Sequence, residues 1–140
     1  MKVCLDTTYL LPICRVKVIQ IPTEFLKNLF KGDFDFCISN LTLLELIGKS
    51  IKILKDTKEI EQGLEAILQE EKIEKVGILN IELLKMAIEY KSKGLDLIDS
   101  MIVATARLHA DLLLTEAEDI KDKVKEIEVL NWKEFQDRYF

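Results

Sequence analysis

The chain has one histidine, three cysteines, two prolines and five glycines among its 140 residues. Each shortage excludes something. A structural zinc site takes four Cys or His ligands at set spacings, but Cys4, Cys14 and Cys37 form no C-x-x-C pair and have only His109 to join them. Zinc-finger and dithiol redox chemistry therefore fail on ligand count. Cys4 and Cys37 each sit in a short apolar run and read as buried, reduced thiols. No apolar run reaches the ~20 residues that a membrane-spanning helix needs. The start, Met1-Lys2-Val3-Cys4-Leu5-Asp6, puts an acid where a secretory signal would continue its apolar stretch. The expected location is the cytoplasm, with no membrane partner. Positive charge is in deficit too: the net charge of −5 speaks against bulk attraction to nucleic acid. It still allows an acidic metal pocket flanked by local basic patches.

What is present is a folding composition, 49% hydrophobic and 32% charged. There is no internal repeat, low-complexity tract or Gly/Pro/Ser-rich linker, and Pro12 and Pro22 flank the one irregular segment, Cys14–Ile21. A single domain over residues 1–140 is expected. Two kinds of segment alternate along it. Short apolar runs at Lys2–Leu5, Phe34–Ile38, Lys75–Leu79, Asp111–Leu114 and Glu126–Leu130 read as strands. Helical spacing fills Thr23–Lys31, Asn40–Lys55, Thr57–Glu71, Ile81–Lys93 and Ile98–Ala110. Within Asn40–Lys55 the expected inner face is Leu43, Leu44, Ile47, Ile51 and Leu54, and Gly94 reads as a left-handed helix stop. Alternating strands and helices, with strands apolar almost throughout, point to an α/β chain of three layers, α/β/α. Its central sheet should be mainly parallel, with four to five strands.

Four acidic positions stand out against this frame. In an open parallel sheet the ligand crevice lies outside the carboxyl ends of the strands, and Asp6 directly follows the first strand. Asp6 serves equally well as the N-cap of a short helix over Thr8–Ile13. Glu45 lies within the apolar stretch Leu41–Ile47 and must face water or be paired. Lys49 and Lys52 share its helix face, so a plain solvated stripe with an i,i+4 pair also explains it. Asp99 stands in the first turn of an almost wholly apolar helix whose natural N-cap is Asp96. The small Ala104 and Ala106 that follow suit a helix lying close against the sheet. Finally, Leu112–Leu114 runs into Thr115, Glu116, Ala117, Glu118 and Asp119, which is either a solvated turn or a further wall of the crevice.

These segments, in this order, resemble the PIN domain family of nucleases. The likeness lies in Leu5-Asp6-Thr7-Thr8-Tyr9-Leu10-Leu11, in Ser39-Asn40-Leu41-Thr42-Leu43-Leu44-Glu45-Leu46, in the helix Asp99 to Ala106, and in Leu113-Leu114-Thr115-Glu116-Ala117-Glu118-Asp119. The resemblance spans nearly the whole chain and implies a PIN-like fold. It also implies a Mg²⁺- or Mn²⁺-dependent endoribonuclease in which Asp6, Glu45 and Asp99 hold the metal. One position departs from the pattern: an aspartate commonly stands where this chain has Ala117. Asp119 is then the first choice for a fourth ligand and Glu116 the second.

Hard carboxylate oxygens suit Mg²⁺ or Mn²⁺, and such a cluster needs neither Cys nor His. Thr8 and Thr115 are candidates to orient a carboxylate or a bound water. Lys49, Lys52, Lys91 and Lys93 are candidates to hold the RNA backbone, against a reading as plain surface lysines. His109, a helix length from Asp99, reads as structural. The resemblance further implies a homodimer and, in many such small proteins, a separate antitoxin chain whose tail enters the acidic pocket. Two other readings compete. One is a scaffold or RNA-binding module of the same fold, its metal site degraded at Ala117. The other is a receiver-type phosphoacceptor, which needs a lysine at the end of a late strand, whereas Leu130 is followed by Asn131 and Trp132.

Overall fold

Successive strand residues face opposite sides of a sheet, so the first strand reports what each side meets. In the computed structural model, which describes residues 1–140, strand β1 (Lys2–Leu5) buries every residue after Lys2. Val3 and Leu5 enter one apolar cluster with Phe36, Ile38, Leu112 and Leu114, while Cys4 enters the other with Cys37 and Leu113. Both faces are covered, which is why these strands read as continuous apolar runs. The other strands are β2 (Asp35–Ser39), β3 (Ile73–Val76), β4 (Leu112–Leu114) and β5 (Glu128–Leu130). They form one sheet in the order β3-β2-β1-β4-β5, with every pairing parallel. The expected mainly parallel sheet is realised with five strands.

From β1 the chain builds outward to β2 and β3, then returns to the other side of β1 to lay down β4 and β5. The order therefore reverses between β1 and β4, the place where open α/β sheets form their crevice. Helices α1 (Thr23–Lys31), α2 (Asn40–Ile53), α3 (Thr57–Gln69) and α7 (Trp132–Tyr139) add buried residues to the first cluster. Helices α4 (Ile81–Ser92), α5 (Leu97–His109) and α6 (Glu118–Lys123) contribute to the second. Gly94 follows α4 with φ of 103°, and the Leu95 N–H closes back on the Tyr90 carbonyl at 3.2 Å. A side chain there would be strained. No helix is long and apolar enough to cross a membrane.

The structure corrects several expectations. The short helix over Thr8–Ile13 is instead two 3-10 turns, Thr7–Tyr9 and Leu11–Cys14, the second containing Pro12, which has no N–H to offer a longer helix. Strand β3 lies earlier than Lys75–Leu79: Ile73 and Val76 are buried, whereas Leu79, beyond Gly77, is 95% exposed. Helix α2 buries Thr42, Leu46 and Ser50 and leaves Leu44 and Ile51 in solvent, a rotation from the expected face. Helices α6 and α7 form where no helix was expected. A capping box between Asn131 and Glu134 starts α7, and Phe135, Tyr139 and Phe140 dock it against Phe34. All three cysteines are free and buried, as expected for Cys4 and Cys37. The neighbouring Cys37 and burial hold the Cys4 thiol well above its usual range.

Candidate metal centre

Asp6 is the first residue beyond β1, at the point where the strand order reverses. Its backbone is extended, and its side chain caps the first 3-10 turn by accepting from the Thr7 N–H at 2.7 Å. The Asp6 N–H is tied to the Leu114 carbonyl at 3.2 Å, which fixes it against the end of β4. From there Thr115 donates its hydroxyl to the other carboxylate oxygen of Asp6 at 2.6 Å. Thr115 is buried, and its hydroxyl oxygen also accepts the Ala117 N–H at 3.1 Å. Asp6 thus caps a turn, as one of its two readings expected, at the point where the strand order reverses.

The Thr7 hydroxyl donates to Glu45 Oε1, linking the Asp6 turn to α2. Of the two candidate hydroxyls, Thr115 and Thr8, the first bonds a carboxylate and Thr8 makes no side-chain hydrogen bond, while Thr7, not among the candidates, makes the contact to Glu45. Glu45 is half-buried at the edge of the α2 face formed by Thr42, Leu46 and Ser50. Lys49 and Lys52 are exposed on the same helix.

Asp99 sits in the first turn of α5, where Asp96 Oδ1 accepts its N–H at 2.9 Å. Burial, then the negative charges of Asp96, Asp6 and Glu45, push the Asp99 carboxyl up to about 7. Asp6 and Glu45, far from Asp99 in sequence, are therefore near enough in space to act on its charge. Asp96, read from sequence only as a cap, joins them as a fourth. The D-x-x-D spacing across a helix start was the one signal that could have shown it. Thr7, separated from Glu45 by 38 positions, left no such signal.

Hard oxygen donors in a mutually repelling cluster suit a divalent cation. The side chains do not already form a closed cage, since no three Asp, Glu, His or Cys groups stand in ligating arrangement around one point. Asp6 is buried, while Glu45 and Asp99 are each half-buried.

The remaining candidates lie apart from this cluster. Glu116 Oε2 accepts from the Tyr9 hydroxyl and from the Trp132 N–H, the latter at 2.9 Å. Asp119 is exposed in the first turn of α6, and Ala117 caps that helix without a side-chain bond. Lys91 is exposed near the end of α4. Lys93 is engaged: its Nζ is 3.6 Å from Glu126 Oε1 and 5.3 Å from the Tyr90 ring centre. His109 approaches Glu74 Oε2 at 3.6 Å, away from the acids.

The family model for the PIN domain matches residues 3–126. The chain belongs to the PIN domain family. PIN domains are nucleases. Solved structures show the same fold. A toxin–antitoxin complex from Klebsiella pneumoniae is 18% identical with a TM-score of 0.66, covering 93% of this PIN domain and 97% of that chain. VapBC2 from Rickettsia felis, bound to a promoter DNA fragment, is 19% identical with a TM-score of 0.65, over 94% and 99%. DNA-bound VapBC from Salmonella typhimurium is 23% identical with a TM-score of 0.61, over 94% and 98%. No curated protein sequence compared with this PIN domain matches it.

Proposed function

We propose that this PIN domain is a Mg²⁺- or Mn²⁺-dependent endoribonuclease of the cytoplasm and the toxin of a toxin–antitoxin pair. The observation that carries the reading is the meeting of Asp6, Glu45 and Asp99 at the strand-order reversal, in a family of nucleases. These three carboxylates would hold the cation, and a hard cation there polarises a scissile phosphate and lowers the pKa of a bound water. The protein's own work is positional. Thr115 and the Thr7 N–H fix both oxygens of Asp6, and the Thr7 hydroxyl fixes Glu45. Lys49 and Lys52, exposed beside Glu45, offer charge to an RNA backbone. Asp119 remains the acid free to approach a cation where Ala117 offers none.

Two partners follow. The Klebsiella pneumoniae relative is described as a toxin–antitoxin complex, which supports a separate antitoxin chain. A homodimer is supported by the exposed apolar side chains of Ile88 and Leu97, which with Leu84 line an open cavity of about 500 Å³ between α4 and α5. The deciding experiment is cleavage of single-stranded RNA with Mn²⁺ by wild type and Asp6→Asn. The reading predicts cleavage by the first alone. Equal cleavage by both discards the catalytic assignment. No cleavage by either favours the second reading, a scaffold or RNA-binding module with the site degraded at Ala117.

A further inference from the structure

Two rungs join the turn after β1 to the loop after β4. The inner rung is the Thr115 hydroxyl on Asp6 Oδ2, at 2.6 Å. The outer rung is the Tyr9 hydroxyl on Glu116 Oε2, three residues along one segment and one along the other. The same Glu116 oxygen accepts the Trp132 N–H at 2.9 Å, in the first turn of α7. That N–H is one of the donors a helix start leaves without an intrahelical partner. Two other donors of the helix start are taken by its capping box, the Asn131 N–H by Glu134 Oε1 and the Glu134 N–H by Asn131 Oδ1. Glu116 adds a charged acceptor for the Trp132 N–H, and such bonds are the strong ones. Tyr9 is fully buried, and burial together with Glu116 raises its hydroxyl pKa, so it stays a donor across the working pH range. Helix α7 lies beyond the residues that match the family model.

We propose that Glu116 is a positioning residue: it clamps the Thr115 loop to Tyr9 and to α7, and through Thr115 it fixes the Asp6 carboxylate. This assigns Glu116 a role other than the metal-ligand role expected from sequence. Glu116 Oε2 is engaged by the Tyr9 hydroxyl and the Trp132 N–H. Without the outer rung, the Thr115–Asp6 bond is the one side-chain tie left between the loop and the Asp6 turn, beside the backbone bonds of Thr115 to Leu130 and of Asp6 to Leu114. The proposal rests on the nuclease reading for its consequence in catalysis, but not for its effect on cation affinity.

The test compares wild type with Glu116→Ala, Glu116→Gln and Tyr9→Phe. Mn²⁺ affinity is read from the electron paramagnetic resonance of free Mn²⁺, with thermal unfolding and RNA-cleavage kinetics alongside. Lost positioning partners cost about 10- to 100-fold in metal affinity, so Glu116→Ala is expected to weaken Mn²⁺ binding by about that factor and to lower kcat with KM unchanged. Glu116→Gln keeps an oxygen that accepts from both donors and is expected to stay within about threefold of wild type, since a neutral acceptor weakens each bond only in part. Tyr9→Phe removes one donor while keeping its ring, and is expected to weaken Mn²⁺ binding several-fold. If Glu116→Gln loses Mn²⁺ as fully as Glu116→Ala, Glu116 is a ligand and the proposal is overturned. If folded Glu116→Ala and Tyr9→Phe bind Mn²⁺ as wild type does, the clamp has no hold on Asp6 and the proposal is likewise overturned. A wild type that binds Mn²⁺ without cutting RNA defeats the nuclease reading, and the affinity series still decides the clamp.

Discussion

Thr115→Val removes one buried hydroxyl and nearly nothing else, because valine matches the shape of threonine. Two bonds go with it: the 2.6 Å donation to Asp6 and the 3.1 Å acceptance from the Ala117 N–H. A hydrogen bond to a charged group contributes about 1.5–3 kcal/mol, and leaving a buried partner unsatisfied costs about 1–3 kcal/mol. Asp6 is only 8% exposed, so water does not readily replace the hydroxyl. The Ala117 N–H is half-buried and recovers part of its loss from solvent. The net expectation is a destabilisation of about 2–3 kcal/mol. With a urea m-value of about 1.5 kcal/mol/M for a chain of this size, the unfolding midpoint falls by about 1.3–2 M. Trp132, the only tryptophan, sits half-buried at the start of α7 and reports the transition by fluorescence. A double-mutant cycle with Asp6→Asn isolates the pair, and contacting residues of this kind couple by about 0.5–3 kcal/mol. If Thr115→Val unfolds at the wild-type midpoint, or the cycle shows no coupling, Thr115 does not hold Asp6 and the account of the site's geometry is wrong.

Further expectations concern charge and capping. The Asp99 carboxyl is raised to about 7 in the fold, against about 3.9 in an unfolded chain, so metal-free protein loses stability as pH rises from about 4 to about 7 and stays on the lower plateau above. The full shift corresponds to about 4 kcal/mol, and solvent screening of this half-exposed group reduces it to about 1–2 kcal/mol. Asp99→Asn should flatten that slope and be the more stable protein at pH 8, as read by urea unfolding; an unchanged slope would refute the charge cluster. Asn131→Ala breaks the capping box of α7 and should cost about 1 kcal/mol in the same assay, with no loss if the helix start is held by its aromatic contacts alone.

The sheet was legible because its covered faces force apolar residues at every strand position, as in Val3-Cys4-Leu5 and Leu112-Leu113-Leu114. Helix α5 was legible from its cap, with Asp96 three residues before Asp99, and the end of α4 from Gly94. Helix α2 was misread because Leu and Ile occur on every side of it, so spacing alone does not pick the inward face. Helix α7 went unseen because it is eight residues long and buries only Phe135 of its own; its stability comes from Phe25 and Phe34, distant in sequence. Asp6 and Asp99 could be named from their places at strand and helix ends, and Glu45 from the family resemblance. Their fastening could not. Thr7 on Glu45, Thr115 on Asp6 and Glu116 on Tyr9 are contacts between segments 38 to 109 residues apart.

The central claim is that Asp6, Glu45 and Asp99 share one hard cation at the end of β1. Crystals soaked in Mn²⁺ and measured at the manganese absorption edge test it most directly. The account predicts a single strong anomalous peak bordered by those three carboxylates, directly or through bound water. A peak beside Glu116 or Asp119 alone, or none at saturating Mn²⁺, would contradict it.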